Sequence, residues 1–230
     1  MNIKEFMFLA LLPCVGFASC GKDDNNSGST SGENDDNAVV WVDLGLPSGI
    51  LWADRNVGAT SPEDFGGYYA WGETTTKEVY DWSTYPFGSN IDQLTKYCSK
   101  SSYGFEHYYD DLTTLLPVDD AATANIGQGA RTPTKDEWQE LLDNTTCEWT
   151  TSNGVAGHRY TSTNGHSIFL PDAGSRINDY SDGEGYNGNY WSSSLFTDRP
   201  YQAWKCGPGS GNVVYDFRYS GYSVRAVKKN

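Results

Sequence analysis

The sequence predicts an α+β domain of short, twisted antiparallel strands with one or two helices and long loops. Three observations carry this. A clear helical period with a start signal occurs in one segment, 131–144. Helical signals lie in the first two-thirds of the chain and strand-like runs fill the last third, without the strand–helix alternation of a parallel sheet. Glycine is frequent, 25 of 230 residues, and it separates those strand-like runs. Aromatics make up 14 % of the chain, with 8 tryptophans, enough for a substantial core.

The first residues are not part of the fold. Lys4 precedes a mostly apolar run from Phe6 to Val15 that is too short for a membrane span. Phe17-Ala18-Ser19 then places small residues before Cys20, so residues 1–19 read as a secretory signal. The cysteine after small residues resembles a bacterial lipobox, which implies that Cys20 is the lipidated first residue of the mature chain. Residues 20–38 are rich in Ser, Gly, Asn and Asp and form an acidic disordered tether. Lys22-Asp23-Asp24 resembles the export signal of surface lipoproteins in gut-dwelling Gram-negative bacteria. That implies an outer-membrane, cell-surface location, with membrane contact through the lipid anchor only.

The domain proper runs over 39–230. Val39–Asp43 and Ile50–Ala53 read as strands joined by a Leu46-Pro47-Ser48-Gly49 turn. Ser61-Pro62 offers a cap and a first-turn proline for a short helix, and 67–71 looks extended. Residues 74–130 mix aromatics, polar runs and glycines. They predict long irregular loops, with one helix near 119–124. In 131–144, Thr134 and Glu137 form a capping box, and Trp138, Leu141 and Leu142 make one apolar face. Strands follow at about 147–151, 158–163, 167–170, 189–192, 201–206, 213–218 and 222–227.

The formal net charge is −14. The tether holds Lys22 against five acidic residues, which leaves −10 on the domain and argues against a nucleic-acid partner. Beyond the leader the cysteines are Cys98, Cys147 and Cys206, an odd number in an exported chain, with Cys98–Cys147 the best disulfide pair. There is no Cys-x-x-Cys pair and no Asp-x-Asp-x-Asp-Gly loop, so no metal site is predicted, and no cofactor either. Asp110-Asp111 and Asp119-Asp120 read as solvated or capping carboxylates, and Asp182-Gly183-Glu184 as a turn. His107, His158 and His166 lack metal spacing and a serine partner, so they fit surface or strand-edge positions.

Six segments then occur in one order: "VDLGLPSGILWADRNVGA" (42–59), "GGYYAWGET" (66–74), "DDAATANIGQGARTPTKDEWQELL" (119–142), "SIFLPDAGSR" (167–176), "YWSSS" (190–194) and "YSVRAV" (222–227). Together they resemble the Fibrobacter succinogenes major paralogous domain of surface lipoproteins, over roughly residues 39–228. That family is similar to the C-type-lectin-like fold, in the branch shared with formylglycine-generating enzymes. The resemblance implies domain termini close together and a C-terminal segment that forms ligand-facing strands and loops.

"WSSSL-TD-P--AW" with a closing "G-SVRAV" further resembles the variable region of proteins diversified by a retroelement, here over about 190–227. Such systems mutate adenines, so an AAC codon becomes NNC, which never encodes Lys, Gln, Glu, Trp or Met. Phe196, Arg199, Tyr201, Cys206, Gly207, Tyr215, Asp216, Phe217, Tyr219 and Ser220 fit that set and are the expected ligand-binding positions; Gln202 and Lys205 do not fit. Tyr and Phe give contact area for little lost rotamer freedom, while Ser and Gly adapt, as in antibody paratopes. Trp191, Trp204, Val224 and Arg225 are the expected buried scaffold.

The expected function is ligand binding without catalysis, to a protein or glycan at a cell or phage surface. The same aromatics also suit ordinary strand packing. A fixed-specificity adhesin for glycan or host protein is the alternative. A formylglycine-generating type of enzyme is a third reading, but it needs a reactive cysteine pair, and the C-terminal part holds Cys206 alone.

Overall fold

A computed structural model describes residues 38–230. The expected signal segment, Cys20 and the expected tether up to residue 37 lie outside the described residues. The described chain is α+β, with four small antiparallel sheets and two short α-helices.

Trp41–Asp43 (β1) and Ile50–Asn56 (β2) are joined through a turn closed by Gly49 N–H to Leu46 C=O at 2.9 Å. Gly49 sits at φ +68, a backbone conformation that suits glycine. The last strand, Arg225–Lys229 (β11), pairs with β2 on the other side, giving the order β1-β2-β11. The two ends of the described domain therefore meet in one sheet. β11 carries a bulge between Arg225 and Val227.

Ala121–Ile126 (α1) and Lys135–Asn144 (α2) are the helices. Asp120 caps α1 by accepting from Ala122 N and Thr123 N. Thr134 caps α2, and Glu137 reaches back to Thr134 N at 2.8 Å, completing the expected capping box. Trp138 and Leu141 are buried on the inward face of α2.

After α2, the strands Thr145–Ser152 (β3), Val155–Ser162 (β4) and Ser167–Pro171 (β5) form one sheet. Ser175–Ile177 (β6) and Tyr180–Asp182 (β7) form a hairpin that the sequence reading did not contain. Tyr190–Leu195 (β8), Gln202–Gly207 (β9) and Asn212–Phe217 (β10) make the sheet that carries the candidate site, in the order β10-β9-β8.

The three serines of β8 have separate tasks. The ladder to β9 is irregular between Trp191 and Leu195, which frees backbone groups for other partners. Ser192 C=O accepts from Trp71 Nε1, Ser193 N–H donates to Pro133 C=O, and Ser194 Oγ accepts from Lys135 N at the start of α2. The indoles of Trp138 and Trp191 likewise donate to carbonyls, of Trp191 and Tyr69 respectively. Large rings thus supply apolar area and satisfy buried carbonyls together.

Several expectations need correction. No helix forms at Ser61. The Asp64 carboxylate accepts from Thr60 N and Gly66 N, and this local competition holds the segment in turns. The final strand starts later than expected, because Tyr222 and Ser223 make isolated bridges to Tyr69 and Tyr190 before β11 begins. Cys98, Cys147 and Cys206 are all free thiols, so the Cys98–Cys147 disulfide is absent. Cys98 is buried in the irregular segment, whereas Cys147 is exposed on edge strand β3 opposite Tyr160. His158, expected at a surface or strand edge, is buried at 7 % exposure.

Candidate functional site

The site is built on the β9–β10 hairpin. Antiparallel register sets Tyr215 opposite Trp204 and Phe217 opposite Gln202. Side chains two apart on a strand share a face, so Tyr215 and Phe217 point the same way. The Phe196 ring, just past β8, lies flat on Tyr215, with centroids 4.0 Å apart and planes 6° apart. Trp204 meets both edge-on, at 5.2 Å from Phe196 and 5.7 Å from Tyr215.

A second group continues the surface. Tyr201 stacks on Phe217 at 5.8 Å, and Phe217 on Tyr219 at 5.3 Å. The irregular segment supplies its flanks: Tyr103 packs against Tyr201 at 5.4 Å, and Trp82 against Tyr219 at 5.1 Å. Phe196, Tyr201, Trp204, Phe217 and Tyr219 are half-buried and Tyr215 is exposed, so one strip of rings is presented to solvent. Beside it runs a groove of about 490 Å³, lined by Thr113, Thr114, Lys135, Asp136, Phe196 and Trp204 among others. The Lys135 ammonium stands 5.8 Å from the Trp204 ring centroid, which brings a cation to the groove.

The expected binding residues divide. Phe196, Tyr201, Tyr215, Phe217 and Tyr219 come together in the strip, and Arg199 is exposed in the turn before Tyr201. Asp216 lies between strip residues but faces inward. Its carboxylate accepts from Tyr222 OH at 2.7 Å and lies 3.8 Å from Lys205 Nζ. Gly207 is at the end of β9, away from the strip. Cys206 and Ser220 are buried, at 0 % and 3 % exposure, and offer no side chain to a ligand. Burial pushes the Cys206 thiol up to about 12, so little thiolate exists near neutral pH. Of the expected scaffold, Trp191, Val224 and Arg225 are buried, whereas Trp204 is half-exposed and belongs to the strip.

The residue that fixes the strip is one the sequence reading missed, Arg218. It follows Phe217, is fully buried and has no carboxylate partner within salt-bridge reach among the described residues. Its Nε donates to Tyr85 OH, and its other nitrogens donate to the carbonyls of Tyr97, Pro200 and Lys96 at 2.7–3.1 Å. Its guanidinium carbon also lies 5.2 Å from the ring centroids of Trp71 and Tyr85. One side chain thereby joins the end of β10, the turn before β9 and the irregular segment. Nothing local marks it, since its partners lie up to 133 residues away.

The irregular segment has its own organisers. Asp110 accepts from the backbone N–H of Tyr97, Cys98 and Leu112. Asp119 takes an ion pair from Lys96 and a hydrogen bond from Tyr97 OH. Burial and the Asp119 carboxylate hold the Tyr97 hydroxyl far above its ordinary pKa, so it stays a donor. Among the described residues, no three His, Cys, Asp or Glu side chains converge as a metal cage.

No family model matches this chain, and no curated protein or solved structure matches it either.

Proposed function

We propose that this chain is a surface-displayed lipoprotein that binds a macromolecular ligand through the aromatic strip and performs no chemistry. The scaffold is read as a C-type-lectin-like domain of the Fibrobacter succinogenes major paralogous type. The hairpin segment is read as the variable region of a retroelement-diversified protein. The observation that carries the binding reading is the strip itself: six rings, from Phe196 to Tyr219, share one face and remain open to solvent. A contiguous apolar surface of this kind on a soluble domain marks an interaction site, and aromatic rings dominate binding energetics.

Sequencing the DNA for residues 190–230 across many cells of one lineage tests the diversification. Expected are changes at Phe196, Arg199, Tyr201, Tyr215, Phe217 and Tyr219, with a near-copy of the segment and a reverse transcriptase gene nearby. Arg218 should stay constant. An invariant segment without a near-copy overturns diversification and leaves a fixed-specificity adhesin. That second reading is favoured by one observation: Cys206 and Ser220, two positions that would vary, are packed inside the fold.

A further inference from the structure

The opposite face of the same hairpin borders a second concavity. Val214 pairs with Lys205 in the register, one step from the Tyr215–Trp204 pair, so alternation sends these two side chains to the other face. Both line a cleft of about 410 Å³ between the β3-β4-β5 sheet, the β10-β9-β8 sheet and the 182–189 loop.

Its rim and floor differ in chemistry. Trp149 of β3 and Tyr186 of the loop stand on the rim at 62 % and 84 % exposure, the latter the highest of any large apolar side chain described. Two such rings on one cleft form the kind of exposed apolar surface that marks an interaction site. The lining also carries the exposed Asn187 and the buried His158, while Asn189 is committed to the fold, its Oδ1 to Lys205 and its Nδ2 to Gly174 C=O. At Gly209 even a Cβ would stand 3.1 Å from the His158 ring, so a larger residue would close off that ring.

His158 is set for one task. Its Nδ1 lies 3.1 Å from the buried Asp172 carboxylate, which can only accept, so Nδ1 carries the proton in the neutral ring. Nε2 is then an acceptor, and it makes no hydrogen bond to any described residue. It lies 3.3 Å from the point where a Cβ of Gly209 would stand. Among the described lining residues Lys205 carries the one ammonium, which donates to Asn189 Oδ1 and faces Asp216 at 3.8 Å. Asp216 thus offsets the Lys205 charge, and Asp182 adds a negative charge to the described lining, which disfavours an anion.

We infer that this cleft is a binding site for a neutral pyranose glycan. Trp149 and Tyr186 provide faces for the C–H surfaces of sugar rings. Asn187 and His158 Nε2 provide the few placed polar groups that orient hydroxyls. The site stands apart from the aromatic strip and does not depend on the reading given to it.

The test uses the full-length chain and the methyl glycosides of glucose, galactose, mannose and N-acetylglucosamine as probes, with saturation-transfer NMR as readout. Galactomannan and polygalacturonate, one neutral and one acidic, are compared by affinity electrophoresis. Expected are saturation transfer to at least one glycoside and retardation by galactomannan. Both should weaken about tenfold in Trp149→Ala and in Tyr186→Ala, roughly one stacking interaction each. Both side chains are exposed, so these variants should keep the wild-type near-ultraviolet CD spectrum. Phe196→Ala with Tyr215→Ala should leave binding unchanged. The inference is overturned by no transfer to any glycoside, by a preference for polygalacturonate, or by binding that ignores Trp149→Ala and Tyr186→Ala. Binding lost only in the Phe196/Tyr215 variant also overturns it and moves the ligand to the strip, so failures of the two sites are told apart.

Discussion

Arg218 and Arg225 are seven positions apart, both fully buried, and both held by neutral oxygens. Their surroundings differ. Arg225 binds regular structure: Asn56 Oδ1 and Ala53 C=O on β2, and Phe169 C=O on β5. Arg218 binds irregular backbone at Lys96, Tyr97 and Pro200. The first locks strands whose ladders already hold them. The second supplies donors to carbonyls that have no ladder. A buried polar group without a partner costs about 1–3 kcal/mol, so one arginine with several donors is an efficient way to order a long loop. The aromatic strip inherits its rigidity from that loop through Tyr103 and Trp82.

Replacing each arginine by Met separates the two roles and should give the largest effects, about 3–5 kcal/mol of lost stability each in denaturant unfolding. Limited proteolysis should distinguish them. Arg218→Met exposes cleavage sites within 82–113 while the sheets persist, whereas Arg225→Met lowers stability without selective nicking there. Equal nicking in both variants would break the comparison.

Alkaline pH sharpens it. Burial pushes the Tyr85 hydroxyl, beside Arg218, up to about 12, and raises the Tyr190 hydroxyl, near Arg225, well above its ordinary value. Unfolded phenols lose their protons near pH 10. Above that the native state holds more protons than the unfolded state, so these tyrosines make stability fall as pH rises, for Tyr85 up to about 12. Arg225 acts in the opposite sense. Burial lowers it to about 10, so above that pH the unfolded chain holds the extra proton and stability is gained. Denaturant midpoints at stepped pH should therefore fall above pH 10, and Tyr85→Phe should make the fall shallower.

Smaller effects follow at the locally encoded elements. Thr134→Ala removes the α2 cap and should cost about 1 kcal/mol, read from the thermal midpoint. Reductant should leave that midpoint unchanged, because all three described cysteines are free. A drop with reductant would mean that Cys147, on its exposed edge strand, finds a partner in solution.

Much of the fold was legible. The α2 helix follows from Thr134, Glu137, Trp138 and Leu141 because capping and amphipathicity act over three or four residues. Most strands after it follow from short β-prone runs between turn residues. The Ser61 segment was misread because Asp64, three residues beyond a good helix start, captures the backbone for a turn. The β6–β7 hairpin escaped because Asn178 enters the left-handed region at φ +54 without a glycine signal.

The site was legible as a list of ring positions and not as a surface. Local sequence by itself located α2 and the β8, β9 and β10 strands to within a few residues, since those signals are short-range, although β8 runs on to Leu195, beyond the expected end near 192. Only tertiary structure decided that Cys206 and Ser220 turn inward, that Trp204 joins the strip, and that Trp82 and Tyr103 complete it. It also decided that Arg218 orders the irregular segment. Its bonds to Lys96, Tyr97 and Tyr85 cross 121–133 residues of chain, so the donor and its acceptors become neighbours only once the sheets have packed.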